Sequence, residues 1–204
     1  SGSAKRVTAD LNRTINARSG SAFRQNVMAQ DSGNPARDVV NNKRWAVAPS
    51  FAFGLNGKTR AYLNFLHVDQ DNTPDGGVPT VGLPGYSSPD PKRPFLTGAA
   101  PVDPEGFYGS ATDYDKVKAD MLTFKIEHDF GGGAKLHNTI RYGKTEQDYL
   151  LTAFMGNTAN FVTPDPLDPA SWTLLRTLRT VKDQANQILT NQSAVTLDFN
   201  TGAA

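Results

Sequence analysis

From Met121 to Phe130 the chain alternates without a break: Leu122, Phe124, Ile126, His128 and Phe130 are interleaved with Thr123, Lys125, Glu127 and Asp129. A repeat of two residues puts one set on each face of an extended strand, and no helix satisfies it. One face is apolar and the other carries charge at the middle of the strand. Any fold must therefore cover one side of this segment with something apolar and leave the other side wet.

The same alternation, less strictly kept, runs through Arg6 to Ile15, Ala22 to Gln30, Trp45 to Leu55, Thr59 to Gln70, Lys135 to Thr145 and Ile188 to Asn200, which predicts seven strands. In Trp45 to Leu55 the large residues Trp45, Val47, Phe51 and Phe53 share one face, and Ala46, Ala48, Ser50 and Ala52 the other. The connections fall into two classes. Asn16 to Gly20, Asn56 to Lys58 and Gly131 to Gly133 are tight turns rich in Asn, Gly and Ser. Residues 31–42, 71–120 and 150–187 are long connections rich in Pro, Gly and Asp.

Short and long connections alternate, as in outer-membrane barrels with short periplasmic turns and long extracellular loops. A soluble sandwich would also alternate along its strands. Against it stand the charges at mid-strand and the loop lengths, which compact domains rarely carry. Trp45, Tyr62, Phe130 and Tyr142 lie near predicted strand ends, where an aromatic girdle would place them. The expected fold is all-β, part of a transmembrane antiparallel barrel.

Average composition does not oppose this. The chain has 204 residues, of which 38% are apolar. Its mean hydropathy is −0.47, yet only alternate residues of a barrel strand must be apolar. No apolar run approaches the ~20 residues that a helical span requires. There is no cysteine, which removes disulfides and thiolate metal sites. A net charge of +1 without a basic block argues against a nucleic-acid partner. The opening residues Ser1-Gly2-Ser3-Ala4 lack the features of a signal peptide, so export is argued from the body of the chain.

The run Gln70-Asp71-Asn72-Thr73-Pro74-Asp75-Gly76-Gly77-Val78-Pro79-Thr80-Val81-Gly82-Leu83-Pro84-Gly85-Tyr86 resembles the loop entry of TonB-dependent catecholate siderophore receptors of the Fiu type. It is joined, in order, by 45–55, Phe107-Tyr108-Gly109, Glu127-His128-Asp129-Phe130 and Gln147-Asp148-Tyr149-Leu150-Leu151-Thr152-Ala153. The resemblance implies an outer-membrane barrel of about 22 strands with an N-terminal plug. It also implies import of ferric catecholates, driven by TonB–ExbB–ExbD through the plug region. The matching stretch would begin at the end of the first barrel strand and stop after the eighth, with no plug, so the expectation is a piece of barrel wall.

Such a ligand is a bulky anion with aromatic rings, and its receptor needs cations and aromatic faces. The long connections offer Tyr86, Lys92, Arg93, Phe95, Phe107, Tyr108, Tyr114, Lys116 and Lys118, then Tyr149, Trp172, Arg176 and Arg179. The candidate ligand-binding set is Tyr86, Arg93, Phe95, Tyr108, Tyr114, Trp172 and Arg176, with Arg93 beside Phe95 the strongest pair. For any one of them the plainer reading is packing of the loops against one another, and for the lysines solvation or contact with lipopolysaccharide phosphates. Outer-membrane lipid and lipopolysaccharide are the expected partners of the wall.

Three histidines, His67, His128 and His137, form no cluster with metal-ligand spacing. No cofactor is expected, iron being carried only as the ferric siderophore. Gly131-Gly132-Gly133 lacks the Lys-Ser/Thr of a phosphate loop, and no nucleophile with its base is present, so catalysis is not expected. A passive porin, a receptor for a different ligand and a soluble β-rich binding module are the competing readings.

Overall fold

A computed structural model describes residues 3–153, 161–175, 179–199 and 202. Seven long strands form one antiparallel sheet: β1 (Ala4–Asn16), β2 (Ser21–Gly33), β3 (Asn41–Phe53), β4 (Thr59–Thr73), β5 (Tyr114–Gly131), β6 (Ala134–Leu151) and β9 (Thr180–Leu197). Each pairs with its neighbour in sequence, so the order is a plain meander with β1 and β9 as open edges. Two short strands, β7 (Phe161–Val162) and β8 (Thr173–Leu174), pair inside the last long connection. No helix among the described residues is long and apolar enough to cross a membrane, which says nothing of strands.

All seven predicted strands are present, and all are longer than predicted. β9 begins at Thr180 instead of Ile188, and β5 begins at Tyr114 instead of Met121. The long connections shrink to 34–40, 74–113 and 152–179. The cause is physical. A span needs only ~9–11 residues, whereas β5, β6 and β9 have 18 each. The surplus, roughly 20 Å or more at ~3.4 Å per residue, lies toward the long connections, where both faces are polar and no alternation marks the strand.

Register shows which residues share a face. Across β3 to β6, Phe51, Leu63, Phe124 and Ile140 lie in one row. This face is left bare: Leu122 is 45% exposed, Phe124 40% and Phe130 59%. The buried apolar side chains among the described residues are Val40, Pro79, Val81, Leu96 and Phe161, all outside the seven-stranded sheet. Among the described residues no second layer covers the sheet, as a sandwich would require.

The apolar band crosses the sheet obliquely. Its upper limit is Val7 on β1 and Trp45 on β3, which lie in one row. That row continues as Asp69, Lys118 and Glu146 on β4 to β6. On those strands the band starts two residue pairs lower, at Phe65, Leu122 and Tyr142. A level apolar zone crossing tilted strands produces this drift. One row higher on the same face, Lys5, Asp31, Lys43, Asp71, Lys116 and Asp148 oppose one another with alternating charge.

The short turns are fastened together. Asn16 Oδ1 accepts from the N–H groups of Arg18 and Ser19 at 2.9 and 3.1 Å. Leu55 N–H donates to Gly20 O at 3.0 Å, Asp129 N–H to Lys58 O at 2.8 Å and Asp198 N–H to Gly133 O at 3.0 Å, so each turn end is tied to the next hairpin. Gly20 has φ +64°, and a Cβ there would lie 2.6 Å from Asn56 N, so only glycine fits.

Tyr62 does not belong to the outer girdle. It pairs with Lys125 across β4 and β5 and therefore lies on the charged face, with Lys125 Nζ 5.1 Å from its ring centre. Trp45 and Phe130 do lie on the apolar face, Trp45 tilted against His67 with ring centres 4.8 Å apart and Phe130 edge-to-face with His128 at 4.4 Å. His128 is held at 2.7 Å from Thr59 Oγ1, and His67 Nδ1 lies 2.7 Å from Asp120 Oδ1.

Candidate functional site

The candidate site is the cap where connections 74–113 and 152–179 meet. Their feet are joined through Asp113, a carboxylate only 6% exposed. It accepts from Ser110 N–H at 2.9 Å, from Thr152 N–H at 2.9 Å and from Thr152 Oγ1 at 2.7 Å. A buried carboxylate is stable only when its lone pairs are met in this way. Thr152 is itself 2% exposed.

The Asp75-Gly76-Gly77 run is built for seating the loop. Asp75 Oδ1 accepts from Gly77 N–H at 2.9 Å, closing a local turn, while its Oδ2 takes Arg37 Nε at 2.9 Å. Arg37 also donates to Pro104 O, and Asp38 N–H donates to Glu105 O at 2.8 Å, so connection 34–40 is drawn into the cap. Gly76 packs against Ala153, whose Cα would lie 3.0 Å from an added Cβ. Gly82 has φ +81°, and its Cβ would lie 2.3 Å from Pro101 N. Both glycines thus permit backbone approaches that no side chain would.

Above this seat a 3-10 turn, Pro94–Gly98, buries Leu96 completely and presents Arg93 and Phe95 at its start. Phe95 meets Trp172 with ring centres 5.7 Å apart and tilted by 58°. Trp172 is fixed by its Nε1–H, which donates to Asp165 O at 2.8 Å. Arg93 donates to Phe161 O and lies 3.5 Å from Asp90 Oδ2. The loops thus bring Arg93, Phe95 and Trp172 together, from positions about 80 residues apart. Beside Trp172 opens a cavity of about 320 Å³ floored by Val81 and Phe161 and walled by Val102, Pro101 and Pro169.

The other predicted residues are dispersed. Tyr86 is half-buried, and its N–H closes a turn on Leu83 O at 3.0 Å. Tyr108 is half-buried and donates to Asp103 O at 2.9 Å. Burial pushes the Tyr108 hydroxyl above its ordinary value, Asp103 adds to the rise and Arg37 opposes it. Tyr114 is the first residue of β5 and not a loop residue, with its hydroxyl on Asp148 Oδ1 at 3.0 Å and Lys116 Nζ 5.1 Å from its ring. Its register puts it on the outward face, away from the cap's interior. Lys116 and Lys118 are strand residues of that same face, and Tyr149 is a strand residue of β6 on the opposite one. Arg176 lies outside the described residues.

A second polar centre was missed as a unit, although Lys125 and Glu127 were noticed. On the inward face near the short turns, Glu127 takes Lys125 at 2.6 Å, Arg60 at 3.2 Å and His137 at 3.6 Å. Arg60 and His137 each stand opposite Glu127 in the register, so the signal was cross-strand pairing, which one strand's pattern does not contain. Among the described residues no three His, Asp or Glu side chains gather as metal ligands would.

No family model matches the chain. It is 47% identical over 199 residues to the catecholate siderophore receptor Fiu of Escherichia coli, a match covering 98% of this chain and 26% of that receptor. It is 30% identical over 151 residues to a probable TonB-dependent siderophore receptor, PiuA, of Acinetobacter baumannii, covering 72% of this chain and 19% of the relative. Crystal structures of the ferric-catecholate import receptor Fiu of E. coli K12, in closed and open forms, superpose with a TM-score of 0.90 at 46% identity. The closed form is matched over 98% of this chain and 28% of that one. The chain thus spans about a quarter of the length of the curated relatives it matches. These relatives are transport receptors and not enzymes. Seven strands paired in the manner of their wall, at that identity over almost every residue, make this chain a member of the TonB-dependent siderophore receptors of the Fiu type.

Proposed function

We propose that the chain forms part of the outer-membrane wall of a receptor that imports ferric catecholate siderophores by TonB-dependent transport. The observation that carries this is the 47% identity along 98% of the chain to a catecholate siderophore receptor, on a sheet whose outward face is apolar and otherwise uncovered. Outer-membrane hydrocarbon would cover that face, and lipopolysaccharide headgroups would meet the charged row above it. TonB–ExbB–ExbD supplies the energy through parts of the receptor outside this chain. No resident metal or cofactor is required, since iron enters already chelated and the protein adds only charge and shape.

At the cap, Phe95 and Trp172 offer ring faces and Arg93 a cation. A tris-catecholate anion requires both, and pairing of this kind contributes from ~0.5 to 2 kcal/mol or more per contact as water is excluded.

The test is growth of a strain without catecholate receptors on ferric dihydroxybenzoylserine, after the whole polypeptide is restored. Growth that depends on TonB supports the reading. Growth that persists without TonB would make the protein a passive channel. Binding without a preference for catecholates over other ferric chelates would make it a receptor for a different ligand. Within the receptor, Arg93→Ala and Trp172→Ala are each expected to weaken ligand affinity about tenfold, equivalent to ~1.4 kcal/mol. Unchanged affinity in both removes the cap from the site.

A further inference from the structure

The tight turn between β3 and β4 holds the only Asn-Gly pair of the chain, Asn56-Gly57. In such a pair the glycine nitrogen has no Cβ beside it and can close on the carboxamide carbon of the asparagine before it. The other glycines of these turns have conformational reasons to be there. Gly54 has φ +68°, with Thr59 O 2.3 Å from where its Cβ would lie, and Gly20 has φ +64°. Gly57 is not in the left-handed region, and an added Cβ would meet nothing closer than 3.5 Å. What this glycine changes is the reactivity of Asn56, not the shape of the turn.

In the folded sheet both reacting groups are engaged. Asn56 Nδ2 donates across to the neighbouring turn, to Ala17 O at 2.8 Å. Gly57 N–H donates to Gly54 O at 2.9 Å. The buried Gly20 backs the carboxamide so closely that a Cβ on it would lie 3.0 Å from Asn56 Cγ. Ring closure requires the Asn56 side chain to swing onto the Gly57 nitrogen and that nitrogen to give up its proton, so these hydrogen bonds must break first. Ala17 and Gly20 belong to the hairpin of β1 and β2, whereas Asn56 and Gly57 belong to that of β3 and β4. The restraint on the carboxamide therefore exists only once β2 has paired with β3. Asn56 is exposed, so water reaches it in either state.

We propose that Asn56 is a modification site, deamidated in chains whose first two hairpins are undocked and protected once they have docked. The Gly57 nitrogen attacks Asn56 Cγ, the bond from Cγ to Nδ2 breaks, and ammonia leaves with the proton given up by Gly57. Water then opens the cyclic imide at one or other carbonyl, leaving aspartate or isoaspartate at this position. Water is the only co-reactant. Either product has a carboxylate, which accepts where Nδ2 donated and so repels Ala17 O. A chain that waits unpaired is thereby marked, and the mark removes one of the ties that docking needs. This holds whatever ligand the receptor carries.

The test ages the whole receptor polypeptide in mildly alkaline buffer, folded in detergent micelles and, in parallel, unfolded in urea. A synthetic peptide of residues 45–58 in each buffer corrects for the solvent. Trypsin releases the same segment, cutting after Arg44 and Lys58, and mass spectrometry with chromatography reads the lost amide and separates isoaspartate. Deamidation at Asn56 is expected to run at least tenfold slower in the folded receptor than in urea. Equal rates overturn the proposal, as does an Asn56 that stays intact in urea. Gly57→Ala should slow the reaction in urea at least tenfold, and an unchanged rate there rules out attack by this nitrogen. Gly20→Ala presses on Asn56 and should speed deamidation of the folded receptor at least threefold; no change in a folded variant removes the neighbouring turn from the account. If Gly20→Ala does not fold, Asn56→Asp decides that point: its yield of folded receptor in lipid vesicles should fall at least twofold, and a parental yield overturns the role of the tie.

Discussion

Asp113 illustrates how single residues hold the cap. Its carboxylate meets two N–H groups and one hydroxyl in a buried site. Asp113→Ala leaves those donors unmet, at a cost of about 2–3 kcal/mol by the usual value of buried hydrogen bonds to a charged group. The loss should fall on the joint and not on the sheet. Limited proteolysis is expected to cut within 74–113 and 152–179 much faster in this variant, while the heat stability of the barrel is unchanged. Gly82→Val should loosen the same region, since it combines an unfavourable φ with a clash against Pro101. These roles were only partly legible. The glycines stood out in the loop motif, but nothing near Asp113 in sequence announces Thr152, which is 39 residues away. Arg93 and Phe95 were legible as a type of chemistry, whereas their meeting with Trp172 was decided by the buried packing of Leu96 and Phe161 beneath them.

At the scale of elements, period-two alternation identified all seven strands and the faces of most of them. It failed where both faces turn polar, as along Thr180 to Gln187 and Tyr114 to Asp120, because hydrogen-bonded pairing continues there without any apolar stripe to reveal it. Tyr62 failed for a related reason: an aromatic near a strand end reads as a girdle residue until its partner, Lys125, fixes its face. The faces predict opposite responses to the same substitution. Phe124→Arg, on the outward side near the middle of the apolar band, should destabilise the folded receptor by about 2–4 kcal/mol. Asn64→Arg, on the inward face of β4 opposite Thr123, should be tolerated. Denaturant titration of both variants folded into lipid vesicles checks the contrast. A comparable loss in both would contradict the assignment of faces.

For the molecule as a whole, the two ends of the wall are held by different means. At one end each tight turn is bonded by its own backbone to the neighbouring hairpin, through Gly20 and Leu55, Lys58 and Asp129, and Gly133 and Asp198. At the other end the strands run past the apolar band, and their connections are bridged mainly by side chains, as in Arg37 to Asp75 and Asp113 to Thr152, beside a backbone bond from Asp38 to Glu105. Backbone ties of this kind keep a fixed circumference, whereas side-chain latches can open and re-form without unpairing a strand. Rearrangement would therefore be confined to the long connections, while the paired strands beneath them keep their spacing.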